Sequence, residues 1–326
     1  MCPLQGPPGA EGEVAVAVWE VSSIEAGKTR LEIQIPGLDL ALPATRIVGH
    51  SPGPKLLVTA GVHGGEYPAI DAASRLGQEV TADALSGELT IVHLVSPVSF
   101  YARRQYVNPM DGKNPNRYFP GDENGTATER ITHQVMTLAR SHDAWVDLHG
   151  GDIHEALVPF TLVSNAGAEE TSRRSLDLAQ AFGLPRTVIT ASVGGSSYVA
   201  AALAGIPAIL AEAGGMGQLD QESVRLLHQG LRRVLQFLGM VAGGAPEPVE
   251  SRQFHEFAWS RAEASGLWYP AKTAGQMAEA GEMVGKITDV YGDLLQEIKA
   301  PQSGEILFAV TSLAIETGDP LLAVGA

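Results

Sequence analysis

The feature that most constrains this chain is an alternation running from Lys55 to Leu238. Short β-prone runs, "KLLVTAG", "ELTIVHLVS", "AWVDLHG", "FTLVSN" and "PAILAEAG", are separated by stretches with helical patterning. Helices are expected over Tyr67–Glu79, Thr128–Arg140, Glu169–Phe182, Ser197–Ala204 and Gln221–Leu238. Strands alternating with helices of this length join through crossovers, giving a parallel or mixed sheet covered by helices on both faces. The flanks read differently. From Val14 to Val48, runs such as "VAVAVWEV" and "LEIQI" are broken by Gly and Pro and read as antiparallel strands. After Leu238, "GMVAGGAPEPVESR" reads as a linker. Beyond it, short runs between Gly-containing turns indicate a small all-β barrel or sandwich. The expected fold is therefore α/β, a mixed open sheet with helices on both faces plus a C-terminal all-β domain. Residues 1–48 form an N-terminal β segment packing with the main domain of 49–240, followed by a linker over 241–252 and a β domain over 253–326.

Composition excludes several partners. Of the 326 residues, 44% are hydrophobic and 18% charged, the balance of a soluble globular chain. The longest nearly apolar run, Val199 to Ala211, is broken by Gly205 and Pro207 and falls short of the ~18–20 residues that cross a bilayer. No membrane partner is expected. The opening "MCPLQGPPGAEGE" has neither a basic nor an apolar segment, so no export signal is expected there. A single cysteine, Cys2, cannot form an internal disulfide and fits a reducing cytoplasm. It also leaves His, Asp and Glu as the available metal ligands. The net charge of −15 repels phosphate backbones, so nucleic acid is not an expected partner.

Three of the strand-like runs end in groups capable of chemistry. "LLVTAGVHGGE" ends in His63 and Glu66, "AWVDLHGG" in His149, and "PAILAEAGG" in Glu212. Each alone reads as a polar residue at a strand end. In an open α/β sheet, however, ligands bind beyond the carboxyl ends of the strands. Two histidines and a carboxylate with an open fourth position form a catalytic zinc set, and a further carboxylate can take a proton from water. His63, Glu66 and His149 would be the ligands of one zinc ion per chain, with Glu212 as the base. Asp147, two residues before His149, either orients that ligand or is an ordinary polar residue. His154, beside Glu155, competes for the metal if its loop folds back. His93 reads as a buried, hydrogen-bonded strand residue, and His50, His133, His142, His228 and His255 as surface or linker positions.

The segment "YARRQYVNPMDGKNPNRYFPGDENGTATER" has little regular pattern and is expected to be a long loop over the sheet edge. Asn116 and Arg117 offer an amide and a guanidinium for a substrate carboxylate. Arg103 or Arg104 could polarise a scissile carbonyl.

The four motifs "GVHGGE", "NPNRYFPG", "WVDLHGG" and "ILAEAGG" resemble, in order and rough spacing, those of the succinylglutamate desuccinylase/aspartoacylase family, within the zinc carboxypeptidase-like fold. The resemblance implies a zinc-dependent hydrolase that cleaves the amide of a small N-acylated amino acid. It implies metal ligation by His63, Glu66 and His149, general-base action by Glu212, and carboxylate binding by Asn116 and Arg117. Arg104 is the nearest match to the family's carbonyl-polarising arginine, and Tyr198 resembles a substrate-contacting tyrosine. Aspartoacylases carry an arginine soon after that tyrosine, where this chain continues Val199, Ala200, Ala201, Ala202, Leu203, Ala204. That departure argues against an acidic leaving amino acid and brings the motifs closer to relatives that deacylate diamino acids. The C-terminal region resembles biotinyl/lipoyl-type barrels. Lys299 lacks the usual Met-Lys-Met turn, so the region is expected to wall the active-site mouth rather than carry a modified lysine. Trp268 and Tyr269 could face the pocket or the barrel core. Two rival readings remain: a metallocarboxypeptidase acting on short peptides, and a non-catalytic protein that binds zinc or an acylated ligand. The oligomeric state, homo-oligomer included, stays open.

Overall fold

The structure is a computed structural model that describes residues 15–17 and 25–326. Cys2, the N-terminal lead-in and most of the "VAVAVWEV" run lie outside the described residues. In the first part of the chain the elements are β1 (Ala15–Ala17), β2 (Gly27–Gln34), β3 (Ala41–Val48), β4 (Ser51–Ala60), α1 (Tyr67–Glu79), β5 (Ser86–Val92), α2 (Pro97–Ala102) and α3 (Ala127–Arg140). They continue as β6 (Ala144–His149), β7 (Glu155–Leu157), β8 (Phe160–Val163), α4 (Glu169–Phe182), β9 (Arg186–Ile189), α5 (Ser197–Leu203), β10 (Ala208–Glu212), α6 (Gln221–Phe237) and β11 (Arg252–Phe254). The five expected helices all form, each within a residue of its expected ends.

These strands build one ten-stranded sheet in the order β1-β2-β3-β5-β4-β6-β10-β8-β9-β11. The sheet is mixed: β5, β4, β6 and β10 run parallel, whereas β2–β3, β3–β5 and β10–β8 pair antiparallel. The N-terminal segment was expected to be antiparallel throughout. Instead β1 pairs with β2 in parallel, which its position at the sheet edge permits. The strand β11 adds a parallel partner to β9, so the expected linker gives way to sheet at Arg252.

Alternation along the central strands divides the core between two faces. Leu56, Val58 and Ala60 of β4 point to one face and meet Leu76 of α1, Phe182 of α4 and Leu227 of α6. Leu57 and Trp145 point to the other and meet Val135 of α3 and Ala201 of α5. Helices therefore cover both faces. The helix α6 carries its apolar residues at Val224, Leu227, Leu231, Val234 and Leu235, a spacing that keeps one stripe on the sheet. Asp220 caps its first turn, accepting from the Ser223 N–H at 2.9 Å.

The C-terminal strands are β12 (Phe257–Arg261), β13 (Gly266–Pro270), β14 (Met277–Ala278), β15 (Met283–Thr288), β16 (Leu294–Lys299), β17 (Gly304–Val310), β18 (Ala314–Ile315) and β19 (Pro320–Gly325). They form two sheets, β12-β19-β17-β14 and β16-β15-β13-β18, closed over a separate core that includes Trp268, Ile287 and Ile306. Two devices tie this unit to the main sheet. The short β7 pairs with β17. Arg186 of β9 and Arg252 of β11 also reach the buried Glu305 of β17, at 2.6 and 3.3 Å. The inner contact is the stronger, because Arg252 is half exposed and solvent screens its pair to about 1 kcal/mol or less. Lys299 pairs within β16, opposite Met283.

Candidate active site

In the sheet order β6 lies between β4 and β10, so three parallel strands deliver their ends side by side. His149 and Glu212 are direct register partners, and Leu148 lies opposite Ala60. His63 and Glu66 sit in the turn joining β4 to α1. That turn is tight. A Cβ on Gly64 would lie 2.2 Å from the Phe100 nitrogen, and one on Gly65 would lie 2.0 Å from Asp152 Oδ1. Only glycine lets the backbone pass there, and Pro68 then starts α1 in a position where no N–H is needed.

His63, Glu66 and His149 are all buried, and one ligand atom from each lies within 4.8 Å of the others. Both imidazoles are oriented by the nitrogen turned away from Glu66. His63 Nε2 donates to Asn114 Oδ1 at 3.0 Å, and that oxygen also accepts the Asn116 N–H at 2.9 Å. His149 Nε2 donates to Asp147 Oδ2 at 3.0 Å. Each Nδ1 consequently faces Glu66, His63 at 2.7 Å from Oε1 and His149 at 3.0 Å from Oε2. The second contact lacks hydrogen-bond geometry, since Glu66 Oε2 is buried without a hydrogen-bond partner.

Two imidazole lone pairs converging on a carboxylate repel unless positive charge lies among them. Burial works against a charged imidazole at both histidines. At His149 the Glu66 and Asp147 carboxylates overcome it and hold the ring well above its usual value; at His63, Glu66 outweighs it and raises the ring. Burial likewise opposes ionisation of Glu66, yet His149 and His63 pull its carboxyl below the usual range. Either protons or a metal ion can supply the charge this constellation calls for. Two nitrogens and an oxygen as donors suit zinc.

Asp147 resolves in favour of an orienting role. Its Oδ1 accepts the Thr59 hydroxyl and its Oδ2 accepts Ser197 Oγ, both at 2.5 Å, in addition to His149. Thr59 in turn accepts Trp145 Nε1 at 2.7 Å. This chain of buried bonds fixes the His149 ring. Asp147→Asn is expected to weaken metal affinity about 10–100-fold, the usual effect of losing a partner behind a ligand. A competitive chelator titration measures it, and affinity within threefold of wild type would reject the role.

Glu212 stands beside this group. Its Oε2 is buried without a hydrogen-bond partner. Burial pushes its carboxyl well above the usual range; His149 opposes this, while Glu66 and Glu155 add to it. Glu212, His63, Glu66, Asn116, Arg117 and Tyr198 all line one cavity of about 680 Å³. Asn116 is anchored through its Oδ1, which accepts the Ser197 N–H at 3.0 Å. The Arg117 guanidinium donates to the Asn116 carbonyl at 2.7 Å and has no ion-pair partner among the described residues. The Tyr198 hydroxyl is buried without a partner.

Other expectations turn out differently. Arg103 and Arg104 are exposed and do not line the cavity: α2 ends at Arg103 in a left-handed turn (φ 50°), which carries both side chains outward. His154 is exposed and takes no part in the cluster. His142, read as a surface residue, is buried, with Nδ1 2.7 Å from the Leu138 carbonyl and Nε2 2.9 Å from Thr90 Oγ1. His93 lies just past β5 and contacts Thr45 Oγ1 at 2.8 Å. Trp268 belongs to the C-terminal core and Tyr269 is exposed, so neither lines the cavity. Trp259, Arg261 and Asp319 do so instead. The C-terminal unit thus contributes to the cavity lining, through residues the sequence does not single out. Tyr106, Asn114 and Glu155 also line the cavity, and the sequence does not single them out as site residues. The one available signal was that "GGDIHE", like "GVHGGE", places a carboxylate just after a strand end.

Among the described residues no helix is long and apolar enough to cross a membrane. The N-alpha-acetyl-L-2,4-diaminobutyric acid deacetylase of Halomonas elongata is 27% identical over 292 residues, covering 87% of this chain and 85% of that protein. The product-bound ectoine utilization protein EutE (DoeB) of Ruegeria pomeroyi is similar with a TM-score of 0.84, at 26% identity, over 93% of this chain and 96% of its own. A succinylglutamate desuccinylase/aspartoacylase from Rhodobacter sphaeroides shares the fold with a TM-score of 0.84, at 24% identity, over 94% and 98% of the two chains. The model of the succinylglutamate desuccinylase/aspartoacylase catalytic domain matches residues 52–238, more than half of the chain. The chain that brings His63, Glu66, His149 and Glu212 to one sheet edge belongs to the succinylglutamate desuccinylase/aspartoacylase family.

Proposed function

We propose that the protein is a zinc-dependent hydrolase that cleaves the amide bond of a small N-acylated amino acid. The observation that carries this reading is the place of Glu212. Its carboxyl, whose Oε2 is buried without a hydrogen-bond partner, stands next to His149 on the adjoining strand and lines the same cavity as His63, Glu66 and Arg117. His63, Glu66 and His149 would hold one zinc ion, which when bound supplies a Lewis acid and lowers the pKa of water. Glu212 accepts a proton from the attacking water and returns it to the leaving amine. Burial raises its pKa, the direction that suits a carboxyl which must take up a proton before returning it. Arg117, free of any protein carboxylate, takes the substrate's carboxylate, and Asn116 and Tyr198 contact its polar atoms. Arg104 has no part in this reading. We further propose that the chain folds as a main α/β unit and a C-terminal β unit that narrows the mouth and favours small substrates over long peptides.

The relative from Halomonas elongata makes an acetylated diamino acid the first substrate to test. Amine release by the zinc-loaded protein should be followed with N-acetylated diamino, neutral and acidic amino acids, succinylated amino acids and dipeptides. Selective turnover of an acetylated amino acid is expected. Turnover of dipeptides alone would make the protein a peptidase, and silence across the panel would reject the hydrolase.

A further inference from the structure

One buried carboxyl in the cavity has no part in this chemistry. Glu155, in β7, lines the cavity and is 6% exposed. It forms no ion pair with a lysine or arginine among the described residues. Two donors hold it: the Tyr106 hydroxyl on Oε1, and the Asp152 N–H on Oε2 at 2.8 Å. Tyr106 is itself held in the left-handed region (φ 55°) by its N–H bond to Asp152 Oδ2 at 2.7 Å. A non-glycine residue there costs about 1–3 kcal/mol, and a buried carboxyl without a cation costs more. Burial pushes Glu155 up to about 8, while the Tyr106 bond opposes that shift. A strained residue and a costly carboxyl, fixed at the wall of a cavity, mark a position kept for a ligand rather than for stability.

The charge arrangement says which ligand. Burial is the largest influence on the ionisation of Arg117, followed by Tyr198 and Arg261 and then Glu155. Arg117 offers a cation to the substrate's carboxylate, and Glu155 lines the same cavity as a buried carboxyl outside the proposed chemistry. A ligand spanning the two therefore carries an anion at one end and a cation at the other. In an N-acylated amino acid the α-nitrogen is an uncharged amide, so the cation must be on the side chain. Resting on the deacylase reading, we infer that Glu155 is a specificity-determining residue that receives the side-chain ammonium of an N-acyl diamino acid, with Tyr106 and Asp152 positioning its carboxyl. The run Val199 to Ala204 puts no competing cation after Tyr198.

Binding tests this separately from turnover. In a zinc-loaded Glu212→Gln background, calorimetry compares N-acetyl-2,4-diaminobutyrate with N-acetylnorvaline, which has a methyl where the former has its ammonium. The background protein should bind the ammonium ligand at least tenfold more tightly. Adding Glu155→Gln should bring the two affinities within threefold, with the loss falling on the ammonium ligand. Adding Tyr106→Phe, which keeps the carboxyl but removes the hydroxyl that holds it, should shrink the preference without removing it. If the glutamine protein does not fold, the phenylalanine protein decides, and an unchanged preference in it overturns the assignment. A preference retained in folded Glu155→Gln overturns it too, as does the absence of preference in the background. Wild-type protein that binds the ammonium ligand with this preference, yet releases no amine, would reject the deacylase reading and leave the Glu155 assignment standing.

Discussion

Glu212→Gln is expected to lower turnover of the preferred N-acyl amino acid by about a hundredfold to ten-thousandfold, the range general acid–base catalysis contributes. Bound zinc should stay at the wild-type level. The substitution preserves shape and removes only the capacity to accept and return a proton. The proposed ligand trio of His63, Glu66 and His149 does not include Glu212, so metal binding has no reason to fall. Folding has little reason to suffer either. An amide replaces a carboxyl whose ionisation burial already disfavours, so the melting temperature should hold or rise slightly. The measurement is kcat/KM alongside metal per chain and melting temperature on the same preparation. A variant within tenfold of wild type would mean that another group handles the proton. An inactive variant that had also lost its metal would make Glu212 a ligand.

What the sequence made legible follows from where its constraints are local. A strand that ends in His-Gly-Gly-Glu, or in Leu-His-Gly-Gly, announces a tight turn, because glycine lets backbone segments approach more closely than any side chain allows, as at Gly64 and Gly150. The longer helices α1, α3, α4 and α6 were legible because each keeps one apolar stripe for the core. Sequence could not give the order β4-β6-β10, which turns four scattered residues into neighbours. That order depends on which helix covers which face.

The irregular loop before α3 was the hardest to read. Its course is set by side-chain bonds such as Asn114 to Asn116 and Asp111 to Thr128, not by any periodicity. Distance along the chain therefore points to Arg104, whereas the left-handed residue at Arg103 turns it outward. Tyr106, two residues on, carries the side chain that does enter the cavity. His142 misled for another reason: it follows a helix, as surface residues often do, yet its ring points inward to Thr90. At the mouth, the aromatic pair Trp268 and Tyr269 drew attention by type. The lining residues Trp259 and Arg261 sit on β12, where pairing with β19 brings them over the cavity. Contacts between distant segments of this kind leave no mark in a single sequence.

Metal binding gives the second large effect. A His63→Ala plus His149→Ala protein is expected to retain less than about a tenth of the wild-type zinc, because two of three ligand atoms are gone and one carboxylate cannot hold the ion against water. The accompanying stability change has a definite form. A ligand that binds only the folded state stabilises it by RT ln(1 + [L]/Kd), about 4 kcal/mol at a thousandfold excess over Kd. Chelation should therefore lower the melting temperature of wild-type protein by several degrees and leave the double variant unmoved. In metal-free wild type the imidazoles still converge on Glu66, whose charge outweighs their burial and favours their protonation. The double variant removes that convergence but leaves Glu66 buried, so its own stability reports the cost of the isolated carboxylate. Glu66→Gln added to it should recover stability, since an amide needs no counter-charge. Wild-type zinc content in the double variant, or a chelator response equal to that of the wild type, would put the metal elsewhere and leave the sheet edge without its proposed chemistry.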